Sequence, residues 1–258
     1  MNRVAGSLAV LMGLALPGLA VAQISPCPTP AVSRPDPAVV GAPANAVGCE
    51  RGVGLTVGTA DLFRCQVMPA PGQDDIPEGS PEYVFLLDRP GHDGVVLPDS
   101  LMAGRFEAYE VLTVDLDGDG RSEHVLAAWN AQGNGLGVNR WTIRVFDADW
   151  NAIATFDEVA DWGRTSLVAA PAGRPGCDLA ITGYVDHVDA RGRPGIAFQA
   201  RFHRRLGHGM TLAADRPTLT RRYDFAFQDQ RTAYFQRHDE PITGDVAAWL
   251  SHPSTQAQ

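Results

Sequence analysis

Short apolar runs separated by turn-forming residues are the feature of this sequence that most restricts its fold. Residues 83–87, 110–114 and 125–129 are apolar runs bounded by Gly, Pro, Asp or Asn, and residues 141–146 alternate apolar and polar side chains. Strict alternation is typical of a strand with one buried face, and turn clusters at this interval are typical of antiparallel sheets. Apolar spacing of helical period is scarce, with residues 245–250 as the best example. The sequence therefore predicts an all-β fold of antiparallel sheets.

Composition divides the chain into four segments. Residues 1–22 combine a positive charge, an apolar stretch and a small-x-small cleavage site, which predicts a signal peptide. A retained transmembrane helix and a lipid anchor at Cys27 are the alternatives. Residues 23–47 are rich in Pro and Ala and predict an extended arm, residues 48–242 predict the β-rich domain, and residues 243–258 predict a short helix and a tail. We expect a secreted or periplasmic protein with no transmembrane segment after cleavage.

The net charge narrows the class of partner. The formal net charge is -9 at pH 7, so phosphate backbones are repelled and nucleic acid is not an expected partner. Divalent cations are favoured, and a protein or a glycan is the expected larger ligand. A basic patch interrupts this acidic background, and either pairs with the protein's own acids or docks an anionic glycan or lipid headgroup. Its members are Arg201, Arg204, Arg205, Arg221 and Arg222.

The chain contains four cysteines and no CxxC motif, which leaves a zinc knuckle or a thioredoxin-type motif without support. In an exported chain an even count predicts two disulfides. We predict that Cys49–Cys65 closes a local loop and that Cys27–Cys177 ties the arm to the main body. Free buried thiols are the alternative.

Residues 115–123 carry an acidic constellation typical of a calcium site. Its carboxylates are Asp115, Asp117, Asp119 and Glu123. Alternate positions in a tight loop direct carboxylates toward one centre, Gly120 permits a sharp reversal, and the Arg121 carbonyl can add a backbone oxygen. Ca²⁺ takes six to eight oxygen ligands in a flexible shell, so these residues predict one Ca²⁺ site. The alternative is a solvated acidic turn between two strands.

The flanks of this loop decide its type. An EF-hand needs helices on both sides and a Glu at loop position twelve, whereas this chain has Leu126 there and apolar strand-like runs on both sides. Residues 110–156 instead resemble the strand–loop–strand calcium hairpin of the FG-GAP and VCBS repeats, whose pattern is DxDxDGxx(D/E). The resemblance implies β-propeller blades in which the ion pins a surface hairpin, and Arg121 as a carbonyl ligand. The chain is short for a seven-bladed ring, so we expect a small or incomplete propeller-like assembly.

A degenerate second copy of the hairpin is predicted at residues 166–184. Asp178 is its only remaining acid, so no ion is predicted there.

Motifs of catalysis are absent from the sequence. It contains no G-x-S-x-G, no H-E-x-x-H and no Walker loop. His187 with Asp186 and Asp189 is the best acid–base or metal cluster, although a histidine near a turn is usually a surface residue. The loop at 130–139 is polar and shares a hairpin with the acidic loop, so it is the predicted ligand-contacting surface, or else a plain connector. Its candidate contact residues are Asn130, Asn134 and Asn139.

These observations favour an exported calcium-binding protein with a binding or structural role. Two alternatives remain: a secreted hydrolase in which Ca²⁺ is only structural, and a cell-surface or assembly subunit tethered by the arm.

Overall fold

A computed structural model describes residues 24–28, 30–35, 52–66, 72, 83–96, 109–132, 139–159, 166–188, 192, 194–223 and 255–257. These residues are almost entirely β-strand in antiparallel sheets, which confirms the predicted all-β class. Within these ranges, no helix has the length and apolarity needed to cross a membrane.

The described residues contain fifteen strands. They are β1 (Ala31–Ser33), β2 (Gly52–Val57), β3 (Ala60–Gln66), β4 (Tyr83–Arg89), β5 (His92–Val96), β6 (Tyr109–Val114), β7 (Glu123–Gln132), β8 (Asn139–Phe146), β9 (Ala152–Glu158), β10 (Leu167–Ala169), β11 (Cys177–Val188), β12 (Pro194–Leu206), β13 (Gly209–Leu212), β14 (Leu219–Tyr223) and β15 (Thr255–Ala257).

The described strands form three sheets. The first sheet has the order β2-β3-β4-β5, the central sheet β1-β6-β7-β8-β9, and the third sheet β10-β11-β12-β14-β15, with β13 also paired to β12. Each sheet contains a run of consecutive antiparallel strands. The propeller arrangement and the number of blades stay predictions.

The central sheet is buried on both faces, because alternate side chains of β6 and β7 are apolar on each face. Val111 and Leu126 share a core with Leu62 of the first sheet. Their neighbours Leu112 and Val125 lie in a second core with residues of β10 and β11. Successive side chains of a strand point to opposite faces, so continuous apolar runs such as that of β6 place the central sheet between the other two.

The Pro/Ala-rich arm is docked along part of its length. β1 pairs with β6 at the edge of the central sheet, and the Cys27 N–H donates to the Leu167 carbonyl at 2.9 Å. The predicted Cys27–Cys177 disulfide is present, with a Cα–Cα distance of 5.7 Å and a sequence separation of 150 residues. Cys65 is also disulfide-bonded, whereas Cys49, its predicted partner, lies outside the described residues.

The C-terminal segment contributes a strand to the third sheet. β15 lies within the predicted tail and pairs with β14. The helix predicted at residues 245–250 and the signal peptide predicted at residues 1–22 lie outside the described residues.

Two hairpin loops of neighbouring sheets pack closely on each other. The β6–β7 loop contacts the β10–β11 loop, and the Cys177 N–H donates to the Leu116 carbonyl at 3.0 Å. Gly176 has φ +83°, and a Cβ there would overlap the Leu116 carbonyl oxygen; a Cβ on Gly118 would similarly overlap Pro175. Both positions therefore exclude a side chain, and this close contact fixes the acidic loop against the third sheet.

We expect Gly176→Ala to destabilise the protein by about 2–4 kcal/mol, since it adds overlap with a backbone oxygen to the strain of positive φ. Gly173→Ala is the matched control, because Gly173 also has positive φ but a Cβ there meets nothing within 4 Å. Gly173→Ala should lower the free energy of unfolding by only about 1–2 kcal/mol. Urea denaturation of both variants measures the difference, and equal losses would show that the two loops do not pack as described.

A buried carboxyl lies where β9 meets the third sheet. Glu158 is 1% exposed, and its Oε2 accepts the Thr182 N–H at 2.6 Å. Its Oε1 has no hydrogen-bond partner in the described part of the chain. Burial raises the pKa of Glu158 from 4.5 to about 8. Glu158 is therefore protonated in the folded protein at neutral pH.

This raised pKa predicts a stability that falls as pH rises. Between pH 4.5 and about 8 the unfolded carboxyl is ionised while the folded one keeps its proton. The free energy of unfolding therefore falls by up to about 1.4 kcal/mol for each unit that the pH rises. Glu158→Gln keeps an acceptor for Thr182 and should remove this fall, so that the variant melts higher than the parent at pH 8. Asp157→Asn, on the same strand but exposed, is the control. Parallel melting-temperature profiles of parent and Glu158→Gln between pH 5 and 8 would contradict the prediction.

Candidate metal centre

The acidic loop joins two paired strands, as the sequence predicts. Val114 at the end of β6 pairs with Glu123 at the start of β7, and the intervening loop turns at Gly118 (φ 77°) and Gly120 (φ 88°). Positive φ is readily adopted only by glycine. Leu116 is fully buried in the core that the central and third sheets share, so its side chain anchors the loop while the neighbouring aspartates face outward.

The Asp115 side chain orders the loop backbone. Its Oδ1 accepts the N–H groups of Gly118 at 2.7 Å and Asp119 at 3.1 Å. Its Oδ2 accepts the Gly120 N–H at 2.9 Å. A carboxylate that collects several backbone donors fixes a tight turn. The loop therefore holds its shape through its own first aspartate.

Glu123 is the buried member of the loop. It is 0% exposed, and its Oε2 accepts the Leu116 N–H at 2.7 Å. Burial raises the pKa of Glu123, while the Leu116 hydrogen bond and the positive charge of Arg205 act in the opposite direction. A buried carboxylate needs a positive partner or a metal to remain charged.

Three of the predicted ligands come together. Asp115, Asp117 and Glu123 each place a carboxylate oxygen within 4.8 Å of the others, in a group that could hold a metal ion. Asp119 does not belong to that group; its Oδ1 accepts the Arg121 N–H at 2.7 Å. Three of the four predicted carboxylates thus lie close together, and the full predicted ligand set stays a prediction.

The Arg121 side chain points away from this triad. Its guanidinium pairs with Asp149 at 2.9 Å, which ties the acidic loop to the β8–β9 turn. That turn is closed by Asp147, whose Oδ1 accepts the N–H groups of Asp149 and Asn151. Although partial burial acts to raise it, these hydrogen bonds leave the pKa of Asp147 lowered. Trp150 belongs to the same turn. Its backbone has φ 64°, and its side chain is buried.

His124 lies beside the triad without joining it. Its ring stacks on Trp150 with centroids 4.3 Å apart, and Nδ1 lies 3.3 Å from the Thr113 hydroxyl. Burial lowers the pKa of His124, so this ring is neutral at pH 7. The aromatic contact packs the β8–β9 turn against the base of the acidic loop.

Arg205 is the site residue that sequence reasoning missed. It lies on β12, 82 positions from Glu123, and its Nη1 donates to Glu123 Oε1. Its Nε lies 3.3 Å from Asp117 Oδ2. The sequence shows Arg205 only as one member of a basic run, because its distance from the loop along the chain hides the contact. A guanidinium thus compensates two of the three carboxylates.

β10 and β11 form an antiparallel hairpin within residues 166–184, where a degenerate second copy is predicted, and the repeat relationship stays a prediction. Asp178 of this hairpin is fully buried and binds two guanidinium groups, with Arg174 Nη2 at 2.6 Å and Arg216 Nε at 2.8 Å. Arg216 also donates to the Ala169 carbonyl. Two arginines therefore compensate the buried carboxylate of the second hairpin.

The other predicted functional residues are only partly described. Asn134 and Asp189 lie outside the described residues, as do the side chains of Asn130, Asn139, His187, Arg221 and Arg222. Asp186 is exposed on β11. Arg201 donates from Nε to Gln199 Oε1 at 2.7 Å. The predicted ligand-contacting loop and the His187 cluster therefore stay predictions.

Comparison with known proteins found no matching family model, no matching curated protein and no matching solved structure.

We expect Glu123→Gln to destabilise the protein by about 3–5 kcal/mol in the presence of a chelator, because the buried ion pair with Arg205 is broken. Glu110→Gln is the matched control. Its partner Arg34 is 75% exposed, and exposed ion pairs contribute about 0–1 kcal/mol. Urea denaturation distinguishes the two, and a Glu123→Gln loss no larger than that of the control would argue against a buried charge at this site.

Proposed function

We propose that this chain is an exported calcium-binding protein whose β-domain has a binding or structural role. The observation that carries the proposal is the triad of Asp115, Asp117 and Glu123, whose carboxylate oxygens lie within 4.8 Å of one another on a strand–loop–strand hairpin. The match to the FG-GAP and VCBS pattern supports the same assignment.

The chemistry of the donors favours Ca²⁺ among metals. The triad offers only carboxylate oxygens, which suit hard cations and not thiolate- or imidazole-preferring metals. Two further oxygen donors lie in the same loop, the Asp119 carboxylate and the Arg121 carbonyl. They complete the proposed ligand set. Bound Ca²⁺ would neutralise the clustered negative charge and hold the β6–β7 hairpin.

The proposed location rests on the signal-peptide pattern of residues 1–22 and on the disulfide chemistry. The Cys27–Cys177 bridge fits an oxidising compartment. We therefore place the mature protein in the periplasm or outside the cell, where calcium is abundant enough to fill a weak site.

Calorimetric titration of the mature protein tests the calcium assignment. Asp117→Ala combined with Asp119→Ala should abolish Ca²⁺ uptake and the rise in melting temperature that Ca²⁺ gives the parent protein. The titration must reach millimolar metal, since extracellular sites of this type bind with Kd of about 10⁻⁴ to 10⁻³ M.

Asp157→Ala combined with Asp186→Ala is the control for lost negative charge, because both residues are exposed on strands outside the acidic loop. Calcium uptake should persist in this control. Uptake by the Asp117 and Asp119 double variant equal to that of the control would refute the proposed site.

A further inference from the structure

An open pocket of about 270 Å³ lies beside the acidic loop, where that loop meets the β12–β13 turn. Its lining side chains are Asp117, Arg174, Pro175, Arg204, Arg205 and Leu206. We infer that this pocket binds a sugar acid of the hexuronate class, with the ligand carboxylate held by Arg204 and Arg205. The inference rests on the proposed binding function and names the ligand for it.

Arg204 is the anchor of the pocket. Its side chain is half-buried and lines the pocket, and no carboxylate among the described residues pairs with it. Arg174, by contrast, is engaged by Asp178 and Asp215. A guanidinium presents a planar fork of donors that matches the two oxygens of a carboxylate. Arg204 is therefore the lining guanidinium whose positive charge no described carboxylate compensates, and a ligand carboxylate would compensate it.

The rest of the lining suits a sugar ring better than a bare anion. Leu206 is 64% exposed, and Pro175 is exposed beside it, so the pocket offers an apolar surface to the C–H face of a ring. The Asp117 carboxylate can accept hydrogen bonds from ring hydroxyls. It would repel a doubly charged phosphate more strongly than a singly charged carboxylate. The volume is near the lower end of small-molecule pockets, about 300–1,000 Å³, and fits one sugar unit.

Arg205 connects this pocket to the acidic triad. Its guanidinium contacts Glu123 and Asp117, and it also lines the pocket. A dication at the triad would compensate those two carboxylates and leave the charge of Arg205 available to the ligand. Calcium should therefore strengthen uronate binding, and by linkage uronate should strengthen calcium binding by the same factor.

Calorimetry with galacturonate as the probe tests the inference on the mature full chain. Galacturonate should bind in millimolar Ca²⁺, and at least fivefold more weakly in chelator, which is the low end of ordinary coupling between sites. Its neutral parent galactose should not bind measurably. Arg204→Gln should weaken galacturonate binding about tenfold or more, the loss expected for a charge-assisted hydrogen bond.

Arg201→Gln is the matched control, because Arg201 lies on the same strand, is exposed, and donates to Gln199. It should leave galacturonate binding unchanged. A calcium titration of Arg204→Gln reports whether the acidic loop is intact, so that loss of the pocket is not confused with misfolding.

The outcomes separate this inference from the proposed function. Calcium uptake without galacturonate binding would overturn the inference and leave the calcium assignment standing. Galactose or inorganic phosphate binding as tightly as galacturonate, or equal losses in Arg204→Gln and Arg201→Gln, would also overturn it. Galacturonate binding that depends on Arg204 in a protein that takes up no calcium would support the pocket and refute the calcium site.

Discussion

The Glu123 carboxylate is the interaction on which the site depends. It is fully buried and accepts a backbone N–H from its own loop and a guanidinium proton from the third sheet. A buried charge without partners costs several kcal/mol, so these contacts must form together. The position of Leu116, the start of β7 and the course of β12 are therefore coupled through one side chain.

The β6–β7 and β10–β11 hairpins each bury a carboxylate, and arginine side chains compensate the two charges in different ways. Each places an acid at the start of its outgoing strand, Glu123 in β7 and Asp178 in β11. Asp178 is held by two guanidinium groups, and the Arg216 side chain is only 4% exposed. The Arg205 side chain is 13% exposed and its second partner, Asp117, is 26% exposed. Arg174, the other partner of Asp178, is 21% exposed, so the two sites do not differ in access of solvent. They differ in how many guanidinium groups contact the buried acid, two at Asp178 and one at Glu123.

Local sequence patterns predicted many of the strands and all three members of the acidic triad, because the information lies within a few residues. The alternation in β8 and the runs in β6 and β7 report burial directly. Asp115, Asp117 and Glu123 could be identified because they belong to one loop. Asp119 was placed with them by spacing alone, although its side chain instead binds the Arg121 N–H.

Contacts between distant segments could not be predicted in this way. Arg205 reaches the loop only because β11 and β12 pair over their length, and no spacing rule links it to Glu123. The pairing of β15 with β14 is similar, since three residues near the end of the chain carry no periodic signal of their own. The Cys27–Cys177 bridge was accessible because the small number of cysteines leaves few pairings.

The hydrogen bonds already present in the loop indicate what kind of calcium site it can be. A carboxylate has about four lone-pair positions, and Asp115 uses three of them on backbone N–H groups. Glu123 uses two, on Leu116 and Arg205. The loop is therefore preorganised, and little free energy is needed to order it around an ion. Each side chain, however, has few lone-pair positions left for the ion. Water must supply part of a shell of six to eight ligands. Under the proposed function, a site built in this way would bind Ca²⁺ weakly and exchange it readily.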